Sequence, residues 1–271
     1  RERIVSQEKT EAVVLRGVDF SETSRIVTLL TPARGRVACI AKGARRRSSG
    51  LGAVLDTYNR IEAVYSWKDG REVQTLAEAS VLDGFAGIKR DLDHATYAAF
   101  PLELVYKVAH ANEPSEALYA TLVNGFEGLA RWSGDAQWHC CWQVLQLLSV
   151  AGYAPALDRC LHCDGEVPDA PGFSLAGGVV CLGHAADRRV APKTFAAFRR
   201  LQAQPERCPE SGTKAETGEL FALLWRYAAY QLETSFRSIR VLDAMLGREQ
   251  SEHGRTRTNT DREKGHQAIE R

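Results

Sequence analysis

The chain has 271 residues, a formal net charge of +1, and is 44% hydrophobic and 25% charged. This is a globular composition, long enough for one large domain or two ordinary ones, and it excludes collagen-like and wholly disordered chains. No window approaches the roughly 18 uninterrupted apolar residues of a membrane helix, and RERIVSQEKT lacks the apolar run of a signal peptide, so a cytoplasmic protein is expected. Seven cysteines, two of them adjacent (Cys140 and Cys141), are not the even pattern of a secreted disulfide scaffold.

Residues 11–79 read as short strands. AVVLR, SRIVTLL, RVACIAK, YNRIEAVY and EVQTLAEA are rich in Val, Ile, Thr and Tyr and are separated by turn residues at 31–35, 43–52 and 69–70. Asp69-Gly70 suits a type I′ hairpin, which needs positive φ at both central positions. Five short strands in about 70 residues fit a small barrel of the OB type, which binds nucleic acid on its surface.

The apolar period then changes. DLDHATYAAFPLELVYKVAH, SEALYATLVNGFEGLARW and AQWHCCWQVLQLLSVAGY carry apolar residues at three- and four-residue spacing, as packed helices require. A kink or break is expected at Pro101, which has no amide to donate. A Gly-, Pro- and Asp-rich module follows at 157–190, then helical pattern at PKTFAAFRRLQA and from Thr217 to Leu246. The last segment, 247–271, holds six cations and five carboxylates without an apolar face and reads as a solvated tail. The expected organisation is therefore α+β: an OB barrel over 1–80, a mainly helical domain over 81–246 with the inserted 157–190 module, and a polar tail.

Two clusters carry chemistry. The first is Cys160-x2-Cys163-x17-Cys181-x2-His184, whose paired spacings aim four ligands at one tetrahedral ion. Three thiolates and one imidazole suit a single structural Zn²⁺ better than an iron–sulfur cluster, which usually takes four thiolates. Four protein ligands close the shell, whereas a catalytic zinc keeps one position open, so Asp158, Asp164 and Glu166 read as solubilising loop acids. The intervening PDAPGFSLAGGVV has no lysine or arginine and is a poor phosphate reader.

The second cluster is the loop IAKGARRRSSG. Residues 11–60 hold nine cations against four carboxylates, and Lys42, Arg45, Arg46 and Arg47 crowd this glycine- and serine-rich loop. Guanidinium forks on a small-residue loop make a phosphate grip, and Arg25, Arg34 and Arg36 on adjoining strands and turns could join them on one side of a small barrel. The loop lacks the order of a Walker A motif, and no GxSxG, HExxH or GxGxxG is present. Cys140 and Cys141, set among Trp138, Trp142 and leucines at helical spacing, read as core thiols. No catalytic residue is expected.

On EAVVLRGVDFSETSRIVTLLTPARGRVACIAKGARRRSS and the later AGYAPALDRCLHC, the chain resembles the RecO family of bacterial DNA repair and recombination proteins, over roughly residues 10–246. His184 stands where that family usually has cysteine. The resemblance implies a non-enzymatic recombination mediator, cytoplasmic and nucleoid-associated, with an OB barrel and a zinc-bearing helical domain. It implies binding to single- and double-stranded DNA, annealing of complementary strands, engagement of single-stranded DNA-binding protein (SSB), and action with RecR to help load RecA. The matching DNA-facing cations are Arg25, Arg34, Arg36, Lys42, Arg45, Arg46 and Arg47. The competing expectation is a zinc-containing protein-interaction scaffold that does not touch DNA.

Overall fold

The computed structural model describes residues 5–210 and 212–244, and the expected tail at 247–271 lies outside them. Five strands come first: β1 (Val5–Asp19), β2 (Arg25–Thr31), β3 (Gly35–Ala41), β4 (Arg60–Lys68) and β5 (Val73–Asp83), with a single helical turn, α1 (Leu51–Val54), between β3 and β4. They close a barrel in the order β1-β2-β3-β5-β4, an OB-like arrangement. Closure needs β1 to serve two neighbours. Its first half pairs with β4, from Val5 opposite Lys68 to Val13 opposite Arg60, and its second half pairs with β2. A register shift between Val14 and Arg16 bends the strand where the partners change. The β3–β5 pairing is parallel and the other four are antiparallel.

Strict alternation fills the barrel. Along β3 the buried positions are Gly35, Val37, Cys39 and Ala41, and along β4 they are Ile61, Ala63, Tyr65 and Trp67. Apart from Gly35, which has no side chain, these residues form one apolar core with Val27, Leu29, Leu55 and Leu76. A one-residue slip of any of these strands would turn its apolar set to solvent, so burial fixes the register.

The β4–β5 hairpin differs from the expected two-residue turn. Its loop is Asp69–Glu72, and Gly70 (φ 73°) takes the left-handed conformation while Asp69 does not. Side chains explain the longer loop. The Asp69 carboxylate accepts from the Trp67 indole at 2.8 Å, and the buried Gln74 amide brackets the turn by accepting from Lys68 N and donating to the Arg71 carbonyl.

The helices are α2 (Ala86–Arg90), α3 (Leu92–Val108), α4 (Glu116–Ala130), α5 (Ala136–Val150), α6 (Pro192–Gln202) and α7 (Lys214–Gln231). Twelve of the 15 residues of α5 are buried, which makes it the axis around which α3, α4, α6 and α7 pack. The expected break at Pro101 does not occur: α3 is helical on both sides of it, and Pro101 itself is buried. A proline inside a helix costs about 3 kcal/mol. Burial of Phe100, Leu102, Leu104 and Val105 around it offsets that cost, each such side chain contributing about 1.5–3 kcal/mol.

The helical pattern expected over 217–246 is split. It begins earlier, at a capping box of Thr213 and Glu216, and α7 ends at Gln231, before Glu233 at φ 46°. A separate helical segment occupies 237–244. Between α5 and α6 lies a small sheet of β6 (Gly172–Ser174), β7 (Gly178–Val180) and β8 (Arg188–Arg189), in the order β7-β6-β8. The Phe173 ring anchors it, stacked on Phe198 of α6 at 5.8 Å and edge-on to Tyr227 of α7 at 5.7 Å.

Candidate nucleic-acid interface and metal centre

The antiparallel β2–β3 pair places the seven basic residues. Arg25 stands opposite Ala41 at its open end, and Thr31 opposite Gly35 at its turn end. Six steps along β2, at ~3.3 Å each, put the two ends about 20 Å apart. Arg25 and the loop that follows Ala41, with Lys42, Arg45, Arg46 and Arg47, lie at the open end. Arg34 and Arg36 lie at the turn end, so the seven cations fall into two groups about 20 Å apart along the pair.

At the open end, Arg45 ties its loop to the β1–β2 turn. Its backbone N donates to the Thr23 carbonyl at 3.1 Å, its Nη1 donates to the Ser21 carbonyl at 2.6 Å, and its Nε lies 3.2 Å from the Asp19 carboxylate. Arg25 lies over Gly17, where a Cβ would come within 2.5 Å of the guanidinium Nε, so glycine there makes the room. Lys42, Arg46 and Arg47 are exposed, and their side chains form no hydrogen bond or ion pair among the described residues. Gly43 (φ 74°) allows the sharp departure from β3. Among the described residues the end thus offers three unengaged cations and two held against the Asp19 carboxylate.

The turn end is engaged elsewhere. Arg34 pairs with Glu8 and lies over the Trp67 ring at 4.3 Å. Arg36 donates from Nη1 to the Tyr106 carbonyl and lies 4.9 Å over the Tyr106 ring. Arg36 also borders a cleft of about 700 Å³, whose walls mix Lys107 and His110 with Glu113, Glu116 and Glu233. The backbone docks here too. Arg36 N donates to the His110 carbonyl at 3.0 Å, Asn112 N to Arg34 at 3.0 Å, and Ser115 N to Pro32 at 2.7 Å. The Arg36 side chain and these three backbone bonds fasten the barrel to α3 and the α3–α4 connection, whereas the Arg34 side chain bridges β1 and β4 within the barrel.

The four metal-type residues do meet. One donor atom from each of Cys160, Cys163, Cys181 and His184 lies within 4.8 Å of the others. The two knuckles are built by backbone turns: Asp164 N donates to the Cys160 carbonyl at 2.9 Å and His184 N to the Cys181 carbonyl at 3.2 Å. Sγ of Cys163 and Cys181 are 3.9 Å apart, and His184 Nδ1 lies 3.5 Å from Cys160 Sγ and 3.1 Å from Cys181 Sγ. Zn–S bonds near 2.3 Å and a Zn–N bond near 2.0 Å imply tetrahedral edges of about 3.5–3.8 Å, so the donor set fits such an ion. The backbone amide of Cys181, against some desolvation and with help from those of Cys163 and His162, holds the Cys160 thiol down at about 5. Lowering favours the thiolate, the form that ligates a metal.

His162 is outside the donor set, its ring centre 5.1 Å from that of His184. The neighbouring acids are matched to cations: Asp164 lies 3.9 Å from Arg159, and Asp158 lies 3.6 Å from Arg199. Cys140 and Cys141 are buried in α5, where desolvation pushes both thiols well up. Burial, with a smaller contribution from His94, lowers the His139 pKa to about 3 and keeps that ring neutral. Among the described residues, no helix is long and apolar enough to cross a membrane.

Sequence reasoning passed over Phe20. It follows the last residue of β1 and is 62% exposed, beside the basic end. An aromatic residue after a strand-like run reads as core, and its isolation in a Ser-rich turn was the signal against that.

Residues 5–85 match the family described as Recombination protein O N terminal, and residues 89–240 match Recombination protein O C terminal. Three similar curated proteins are each called DNA repair protein RecO. That of Salinibacter ruber is 36% identical over 64% of this chain and 66% of its own length. That of Bifidobacterium animalis subsp. lactis is 32% identical over 87% of this chain and 98% of its own. That of Thermobifida fusca is 29% identical over the same shares, 87% and 98%.

Proposed function

Because the chain belongs to the RecO family and is thus a recombination mediator in DNA repair, we propose that it binds single- and double-stranded DNA through the basic end of its barrel. The observation that carries this reading is the gathering of Arg25, Lys42, Arg45, Arg46 and Arg47 at one end of an OB-like barrel, with three of the five side chains unengaged among the described residues. The Arg34 side chain is spent within the barrel, on Glu8 of β1 and Trp67 of β4, and that of Arg36 holds the barrel to Tyr106 of α3.

The mechanism is electrostatic. Guanidinium and ammonium groups neutralise phosphates and release counterions without reading bases, so binding is sequence-independent and falls steeply with salt. Two strands held on such a surface lose much of their mutual repulsion, and base pairing then drives annealing. This needs no hydrolysis and no catalytic residue. In the cell the same DNA contacts serve loading of RecA, together with RecR, on strands coated with SSB, in the bacterial cytoplasm at the nucleoid. The Cys160, Cys163, Cys181 and His184 shell takes one structural Zn²⁺, which stabilises the 157–190 module and leaves no open position for substrate.

Changing Arg45, Arg46 and Arg47 together to alanine tests the reading. Three phosphate contacts on a single strand account for about 2 units of salt slope and, near 0.1 M salt, about a hundredfold in affinity. Fluorescence anisotropy of a labelled oligonucleotide should show both losses while metal content stays unchanged. Unaltered affinity and slope would favour a scaffold that meets only proteins.

A further inference from the structure

Phe20 is the only exposed aromatic ring among the described residues of the barrel. The turn that presents it is tied down: Phe20 N and Ser21 N both donate to the Ser24 carbonyl, at 3.1 and 3.3 Å, and Ser24 N donates to Ser21 Oγ at 3.1 Å. The ring is thus offered on a preorganised loop, and little ordering entropy remains to be lost when something stacks on it.

Its neighbours are the ones that hold the phosphate grip. Asp19, one residue before, lies against Arg45 and Arg25, and Ser21, one residue after, accepts from Arg45. Consecutive Cα atoms are about 3.8 Å apart, so the aromatic and the cationic groups belong to one small patch. The sheet extends it. Val18 pairs with Ile26 and Ile26 with Ile40, and directly paired residues share a face. Val18 is exposed and the two isoleucines are half-buried, so an apolar row crosses β1, β2 and β3, starting two residues before Phe20 in the chain.

We propose that Phe20 is a stacking platform for an unpaired base, with the row Val18, Ile26 and Ile40 behind it, and that it gives this end of the barrel a preference for single-stranded over duplex DNA. The proposal rests on the DNA-binding reading above and sharpens its substrate. Charge complementarity selects the occupant. An exposed ring whose two chain neighbours hold Arg25 and Arg45, at the barrel end that also carries Lys42, Arg46 and Arg47, suits a chain that alternates phosphates with flat apolar faces, and it is a poor seat for a purely apolar protein surface. A duplex keeps its bases stacked on one another inside, so it meets the cations but not the ring.

The test compares Phe20→Ala and Phe20→Tyr in the full chain, with an oligothymidylate and a duplex of equal length as probes. Phe20 is exposed, so neither change should alter the melting temperature. Stacking on one residue is worth about 1–3 kcal/mol, which converts to roughly 5- to 150-fold. Phe20→Ala should weaken oligothymidylate binding about tenfold, leave the duplex within twofold and keep the salt slope; Phe20→Tyr should restore the loss. Equal weakening on both probes, or none on oligothymidylate, overturns the role of Phe20, as does a loss confined to binding of a partner protein. Failure of the unaltered chain to bind either probe overturns the DNA-binding reading itself, and the stacking role with it.

Discussion

Cys160→Ser should abolish metal binding and lower stability by about 3–5 kcal/mol, a fall in melting temperature of roughly 6–20 °C. Structural zinc is worth about 10–16 kcal/mol in isolated finger peptides, but the module here has a second anchor in Phe173, packed on Phe198 and Tyr227, so only part of that sum is lost. The strands β6, β7 and β8 have three, three and two residues and cannot persist alone. Limited proteolysis should therefore cut within 157–190 first, and elemental analysis should show metal falling from about one ion per chain to almost none. His184→Cys is the informative companion. It replaces the imidazole with a fourth thiolate, an ordinary structural-zinc set, and should keep the metal. Among the described residues the barrel contributes no member of the four-ligand cluster, so DNA affinity should hold in both variants. A Cys160→Ser protein with full metal content and unchanged melting would contradict the assignment.

Gly35→Ala should be as damaging through the backbone alone. Gly35 sits at φ 60°, where an L side chain costs about 1–2 kcal/mol, and a Cβ there would come 2.4 Å from the His110 carbonyl and 2.5 Å from that of Glu113. Neither neighbour is a flexible side chain, so the turn must withdraw. Withdrawal breaks the three docking hydrogen bonds made by Arg36 N, Asn112 N and Ser115 N, each worth about 0.5–1.5 kcal/mol. The expected sum is about 3–5 kcal/mol, readable by denaturant unfolding. Gly50→Ala is the control. It lies in the basic loop with nothing within 4 Å of its Cβ position and an ordinary φ of −65°, and should change stability by less than about 0.5 kcal/mol.

These two glycines show where the fold could be read from the sequence and where it could not. β3 and β4 were legible because each alternates buried and half-buried residues with period two, as in GRVACIA, and the other strands by their Val, Ile and Thr content between turn residues. The metal site was legible because its ligands come in two local turns. Gly35 announced a turn, but not what the turn docks on, since that surface lies some 75 residues later, at His110 and Glu113. For the same reason the sequence pooled Arg34 and Arg36 with the other cations. Their stacking on Trp67 and Tyr106 is a product of barrel closure and helix docking. Pro101 misled in the opposite direction, because a local rule about proline yielded to the burial of the helix around it. The long helical pattern after Thr217 hid a stop at Glu233, whose positive φ no glycine signalled. Phe20 was hidden in plain view, since residue type alone does not say which strand ends leave their aromatics in water.

The central claim is that DNA is gripped at the open end of the β2–β3 pair and not at its turn end. The most direct measurement is the salt dependence of oligonucleotide binding for the unaltered chain, for Arg45, Arg46 and Arg47 changed together to alanine, and for Arg34 and Arg36 changed together to alanine. The account predicts that the triple change lowers the slope by about 2, while the double change lowers the melting temperature and leaves the slope of the folded protein where it was. A slope that falls with the double change and not with the triple would place the phosphates at the other end of the barrel and contradict the account.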